Sequence, residues 1–275
     1  MKSYKVVVSD LDGTLLNGKK EISEENLRAI REMAERGVHF VASSGRCLSE
    51  FPKEILAIPE IKYVSCSDGA VIYKKEDGTP IVKNYMPPDL ATACADIIAD
   101  YDTMTLLHKK GELYIDRDKN NHEKHIYFNA PYAFEYVASL VGIETDSTLD
   151  EARGNSFVEL FCPFFRYEEE LLECVERLRA LGNVKIAASE KYNIEVFYES
   201  AGKGRALYPL AEFLGCDISE IIAVGDSKND IEMVEQAGLG LAMSNAMAEL
   251  KETADCIICS NEEHSAKYIL ENYIK

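Results

Sequence analysis

A short apolar run that ends on two aspartates constrains this chain more than any other feature. Val6, Val7 and Val8 are β-branched and read as a buried strand; Asp10 and Asp12 follow at once, then Gly13 and Thr14. Alternate side chains of an extended segment share a face, so both carboxylates lean into one space at the strand's end. Like charges that close repel unless a cation sits between them or one is protonated. The pattern recurs near the other end of the chain. There Ile221 to Val224 reads as a strand that runs into Gly225 and Asp226, and a helix is expected to start near Asp230.

Between these points the chain alternates in a recognisable way. "EISEENLRAIREMAERG" has a helix N-cap in Ser23, acids in the first turn and Gly37 at the C′ position. Leu27, Ile30, Met33 and Ala34 are spaced to line its buried face. Val38 to Ala42 reads as a second strand and "SSGR" as a short polar loop, the unit of a parallel α/β sheet. Asp77-Gly78 marks a hairpin turn. Past Pro87 and Pro88 the pattern changes to helices such as "LATACADIIADY" and strands such as "SFVELFC". "GKGRALYPLAEFLG" reads as a helix ending at Gly215. The expected fold class is α/β: a Rossmann-like parallel-sheet core of residues 1–86 and 190–275, with an α/β module inserted at 87–189.

Composition narrows the class of partner. The 275 residues carry 30 basic and 48 acidic side chains, a formal net charge of −18, which argues against nucleic acid or an anionic membrane surface. No apolar run approaches the roughly 20 residues of a membrane span, and the first residues lack a secretory pattern. The eight cysteines are scattered in apolar surroundings, which suits reduced thiols in the cytoplasm better than a disulfide framework. The C-x-x-C of Cys256 and Cys259 encloses two isoleucines and reads as a buried strand. The expected state is a monomer or weak homodimer.

Four polar groups stand where strands end: Asp10/Asp12, Ser43/Ser44, Asp226/Asp230 and, at the start of a helix, Lys203. In an open parallel sheet that edge binds ligands. Clustered carboxylates suit a hard cation, and Mg²⁺ prefers oxygen ligands and bridges to phosphate. A free carboxylate can then attack phosphorus while a second one, two residues on, handles the protons. Gly13 lacks a Cβ and lets the backbone curl close to the site.

"DLDGTLL", "SSGR", "GKGRAL" and "GDSKND", in this order, resemble the four motifs of the haloacid dehalogenase superfamily, and the insertion resembles the α/β cap of its Cof-type sugar-phosphate phosphatases. The resemblance implies Asp10 as nucleophile, Asp12 as general acid and base, and Lys203 as the cation that stabilises the phosphoryl group. It implies that Leu11, Ser44, Gly45 and Asn229 surround the phosphoryl oxygens. It further implies a Mg²⁺ ion held by Asp10, the backbone carbonyl of Asp12 and Asp226, with Asp230 in support. Arg46 and Asp68 become possible substrate contacts, and the cap carries specificity, with His108, Arg117, Lys119, Asn155 and Glu159 as its polar candidates. Three departures stand out: Asp68-Gly69-Ala70 replaces the common Asn-Gly-Ala, "ESAGKG" precedes Lys203, and Ser44 replaces the more usual threonine. The expected activity is hydrolysis of a small phosphorylated metabolite through an aspartyl-phosphate. A phosphomutase would share the first half-reaction. A receiver-like signalling module would accept phosphate but have no use for Asp12.

Overall fold

The computed structural model describes residues 3–130 and 142–275. The chain divides into two compact units: Met1–Gly45, Phe51–Lys83 and Gly202–Lys275 in the first, Arg46–Glu50 and Asn84–Ala201 in the second.

The first unit is built on β1 (Val6–Asp10), whose residues are all buried, as a triple-valine run with no polar face requires. Helix α1 (Glu24–Glu35) follows; Ser23 caps it by accepting from the Asn26 amide at 3.2 Å. Of the expected face Ile30 and Met33 are buried, together with Asn26 and Ala29, whereas Leu27 is half-buried and Ala34 exposed. Asn26 can be buried because its side chain is satisfied: Nδ2 donates to the Leu15 carbonyl and Oδ1 accepts from the Ala266 amide. The eight-stranded sheet continues with β2 (His39–Ser43), β3 (Tyr63–Cys66), β4 (Val71–Lys74) and β5 (Thr79–Lys83), with the short helix α2 (Lys53–Leu56) before β3. The chain's last third adds β12 (Ile221–Gly225), β13 (Leu239–Ala242) and β14 (Cys256–Ile257).

The strand order is β14-β13-β12-β1-β2-β3-β4-β5, parallel from β14 to β3 and antiparallel at the β4–β5 hairpin. β1 therefore lies between β2, which follows it, and β12 from the far end of the sequence. This is the kind of switch point where the carboxyl ends of a parallel sheet open a crevice. Among the described residues no helix is long and apolar enough to cross a membrane. β14 is an edge strand with Ile257 exposed, so the C-x-x-C segment is not the buried strand expected, and both its cysteines are free and partly exposed.

The second unit holds α3 (Pro88–Ala99), β6 (Thr103–Lys109), β7 (Glu112–Asp116), α4 (His122–Tyr127), β8 (Ile143–Thr145), α5 (Thr148–Ala152), β9 (Val158–Phe165), α6 (Glu168–Ala180), β10 (Val184–Glu190) and β11 (Asn193–Tyr198). Its six-stranded sheet, β10-β11-β9-β6-β7-β8, is antiparallel except between β7 and β8. Leu107, Phe161 and Phe165 pack with residues of α3 and α6 in one core, and their neighbours Leu106, Cys162 and Phe164 pack in another with Cys47, Met104 and Phe128. That alternation is the period of two of a sheet buried on both faces. The sequence placed the return to the first unit near residue 190; β11 instead pairs with β10 and β9, and the second unit runs on to Ala201.

Candidate active site

The polar groups at the carboxyl edge of the first sheet converge on one ammonium. Lys203 is 2% exposed, and its Nζ lies 2.6 Å from Asp10 Oδ1, 2.7 Å from Asp230 Oδ1 and 4.0 Å from Asp68 Oδ1. Lys203 does not belong to a helix; a turn in which the Ala206 amide donates to the Gly202 carbonyl precedes α7 (Leu207–Leu214). Asp10 arrives as the last residue of β1. Asp226 follows β12, the strand in register with β1, so the two carboxylates are neighbours by topology.

Asp230 braces this arrangement. One of its oxygens holds Lys203; the other accepts from the amides of Asp226 and Ser227, both at 3.0 Å, and from the Ser227 hydroxyl. The loop of "GDSKND" is thereby capped from inside, ahead of α8 (Ile231–Gln236). Asn229 donates to Asp68 Oδ1 at 2.9 Å. Asp68 itself lies in a tight loop, Ser67-Asp68-Gly69, whose φ angles are +49°, +51° and +81°. Its amide donates to the Ser44 carbonyl, and the Ser44 amide to Ser65. Backbone held in this region by non-glycine residues is strained, and here hydrogen bonds on both sides fix it.

Electrostatics follow from the count. Asp10, Asp68, Asp226 and Asp230 face a single ammonium. Burial raises the Asp10 carboxyl well above the usual range, and nearby Asp230 and Asp226 add to this while Lys203 opposes it. Burial and Asp230 likewise raise Asp226, against a hydrogen bond from Thr14. Burial alone would depress Lys203, but Asp10, Asp230 and Asp68 outweigh it and hold its ammonium above the ordinary lysine range. Carboxylate oxygens of Asp10, Asp226 and Asp230 all lie within 4.8 Å of one another. An all-oxygen donor set whose members repel each other is what a hard divalent cation relieves, so these residues fit a metal of that kind.

Other expected residues fall differently. The Asp12 carboxylate is not part of that oxygen cluster; it pairs with Lys20 at 2.7 Å and is 31% exposed. β1 has ended at Asp10, so the extended alternation that would have brought the two carboxylates together no longer applies at Asp12. Leu11 is buried and its carbonyl accepts the Leu16 amide. Gly45 stands beside Asp68, and Arg46 belongs to the second unit, where it donates to the Glu50 carbonyl. Of the cap candidates, Arg117 is tied to Asp146 and Glu144 at the surface, and Lys119 to Asp116 and the Thr103 carbonyl. Asn155 accepts from the Phe157 amide in a local turn. His108 and Glu159 are buried.

Two contributors escaped the sequence reading. Thr14 Oγ1 donates to Asp226 Oδ1 at 3.0 Å, and Asn245 Nδ2 donates to the Gly13 carbonyl at 2.8 Å. Thr14 was visible as the last letter of Asp-Gly-Thr. Asn245 had no signal, because its role depends on a contact between the two ends of the chain. Gly13, with φ +84°, has no room for a side chain: a Cβ there would strike the Asp226 carboxylate.

Comparison with known proteins gives the family. The model of the haloacid dehalogenase-like hydrolases matches residues 7–270. A 5-amino-6-(5-phospho-D-ribitylamino)uracil phosphatase of Bacillus subtilis, YwtE, is 28% identical, covering 98% of this chain and 98% of its own. The phosphatase YwpJ of the same organism is also 28% identical, covering 98% of this chain and 100% of its own. A solved haloacid dehalogenase-like hydrolase from B. subtilis superposes with a TM-score of 0.79 at 26% identity, over 98% of this chain and 100% of that one. The chain belongs to the haloacid dehalogenase-like hydrolases.

Proposed function

We propose that this chain is a Mg²⁺-dependent phosphatase that hydrolyses a small phosphomonoester, a sugar phosphate or similar metabolite, by way of a phosphoryl group carried on Asp10. The observation that carries this reading is the crowding of Asp10, Asp226 and Asp230 around the buried Lys203 ammonium. A carboxylate oxygen of Asp10 attacks phosphorus, the ester P–O bond breaks, and the leaving oxygen takes a proton from Asp12. Asp12 then takes a proton from water, the water oxygen bonds to phosphorus, and the bond to Asp10 breaks to release inorganic phosphate. Lys203 keeps the Asp10 carboxylate oriented and turns positive charge toward the phosphoryl oxygens. Those oxygens are received by the backbone at Leu11 and Gly45, the Ser44 hydroxyl and Asn229. Asp10, the Asp12 carbonyl and Asp226, with Asp230 in support, would hold Mg²⁺, which when bound neutralises charge on the transferring group.

The test is a phosphate-release screen over sugar phosphates, nucleotides, pyridoxal phosphate, flavin mononucleotide and 5-amino-6-(5-phospho-D-ribitylamino)uracil, with product sugars checked for isomerised phosphate. Release that stops on chelation and returns with Mg²⁺ supports the proposal. Full activity after exhaustive chelation, or an isomerised phosphate in place of free phosphate, overturns it.

A further inference from the structure

The second unit contains a polar cluster that no step above uses. Cys47 is wholly buried, Glu50 is 5% exposed and His108 6%. Glu50 Oε2 accepts from the Cys47 amide at 2.7 Å and lies 3.2 Å from His108 Nε2. The Cys47 sulfur, a Glu50 oxygen and a ring nitrogen of His108 all fall within 4.8 Å of one another. Glu159, wholly buried on β9, is a further carboxylate at this place: one oxygen accepts the Gly111 amide at 2.7 Å, and its charge is felt at the Cys47 thiol. Ser49 fastens the segment to the β6–β7 turn, its amide donating to the Gly111 carbonyl and its hydroxyl accepting from the Leu113 amide.

An imidazole–carboxylate pair would by itself explain Glu50 and His108. The Cys47 thiol adds to it: it hydrogen-bonds Glu50 and lies 3.4 Å from the Ser49 hydroxyl, and the second carboxylate, Glu159, acts on the same thiol, so three kinds of donor atom share one enclosed space. Sulfur, imidazole nitrogen and carboxylate oxygen together make a donor set of intermediate softness. Mg²⁺, which wants oxygen throughout, would be poorly served by it, whereas Zn²⁺ takes all three.

We infer that Cys47, Glu50 and His108 form a second metal site, selective for Zn²⁺ or a similar borderline transition metal, with Glu159 as fourth ligand or as the group that orients the others. Binding forms a metal–sulfur bond and releases the Cys47 thiol proton to solvent, with no change of oxidation state. The ion ties Arg46–Glu50 to β6 and is structural. The site shares no residue with the Asp10 cluster, so it stands or falls separately from the proposed phosphatase.

Cobalt makes the test spectroscopic. Metal-free protein is titrated with Co²⁺, and the near-ultraviolet band of thiolate-to-cobalt charge transfer is followed. The expected band saturates at one equivalent, is abolished by Zn²⁺ and untouched by excess Mg²⁺. It disappears in Cys47→Ser and persists in Asp226→Ala and in the double variant Cys256→Ser/Cys259→Ser. His108→Gln, which keeps the thiol, should weaken Co²⁺ binding at least about 10-fold, and it decides the matter if Cys47→Ser folds poorly. No charge-transfer band in the wild type, a band that survives Cys47→Ser, or unchanged affinity in His108→Gln overturns the site.

Discussion

Asp10 and Asp226 stand at the carboxyl ends of neighbouring parallel strands, whereas His108 and Glu159 project from within the antiparallel strands β6 and β9. The contrast follows from connectivity. Parallel strands all finish on the same side, so the loops after β1, β2, β3 and β12 are delivered to one edge, however far apart they lie in sequence. Antiparallel strands finish on alternate sides, and what they bring together lies across a face, set by register. An edge leaves backbone amides and carboxylates able to meet a charged ligand. A buried face encloses its polar groups among side chains such as Met104, Leu106 and Phe164. The first arrangement suits turnover of a substrate, the second suits a fixed contact.

The largest effects should come from the edge. Asp10→Asn keeps the shape of the proposed nucleophile and removes its charge, so phosphate release should fall on the order of 10⁴-fold or more while circular dichroism is unchanged. A variant turning over at near wild-type rate would remove the edge from the chemistry altogether. Lys203→Ala takes the one ammonium from between buried Asp10 and Asp230, and in chelator it should cost about 3–5 kcal/mol of unfolding free energy. Lys109 on β6 is a fair counterpart: it is buried too and pairs with Glu151, but that carboxylate is 39% exposed and can be rehydrated. Lys109→Ala should cost no more than about 1 kcal/mol. Equal losses in urea titrations would break the distinction between edge and face.

Metal and protons should separate the two units further. Mg²⁺ at about 100 times its dissociation constant should stabilise the protein by about 2.7 kcal/mol, an increment absent from Asp226→Ala. Acid should act on the second unit through His125, which is wholly buried and whose imidazole burial holds below the usual histidine range. The neutral ring is favoured in the folded state, so the unfolded chain binds the proton more tightly. Stability is therefore fully present above pH ~6.5, the unfolded value, and is lost as pH falls below it. Urea midpoints at pH 7.5 and 5.5 should differ more for the wild type than for His125→Gln. An equal difference in both would show that His125 does not titrate on unfolding.

How much of this could be read beforehand also divides along the two sheets. Asp10, Asp226 and Asp230 were legible because each sits where an apolar strand meets a polar loop, a purely local pattern. Lys203 was legible only through its company, and the structure gives it the central place. The face cluster was not legible as a cluster, although His108 and Glu159 stood among the polar candidates of the cap. Cys47 and Glu50 look like loop residues after "SSGR", and His108 looks like one polar residue in a strand; only the docking of Arg46–Glu50 within the second unit joins them. The return of the chain was misplaced for the same reason, since β11 is claimed by pairing with β10 and β9 rather than by any residue of its own. Asn26 shows the converse error: a helix face inferred from apolar spacing overlooked an amide that three backbone partners make welcome.

The smallest expected effect concerns Asp12 and marks the limit of what the edge controls. Its partner Lys20 is 64% exposed, with a side chain largely in solvent. Water screens such a pair, and holding a long side chain in one geometry costs entropy, so exposed ion pairs contribute about 0.2–1 kcal/mol at most. Lys20→Met should therefore leave the urea midpoint almost unchanged and alter the rate on unactivated esters less than about fivefold. The contrast between esters is nonetheless informative. With Asp12 as the acid, whatever small change Lys20→Met brings should fall on sugar phosphates, whereas p-nitrophenyl phosphate, whose leaving group departs without a proton, should be unaffected. A change equal for both esters would assign it to another group, and Asp12 would lose its place as the acid.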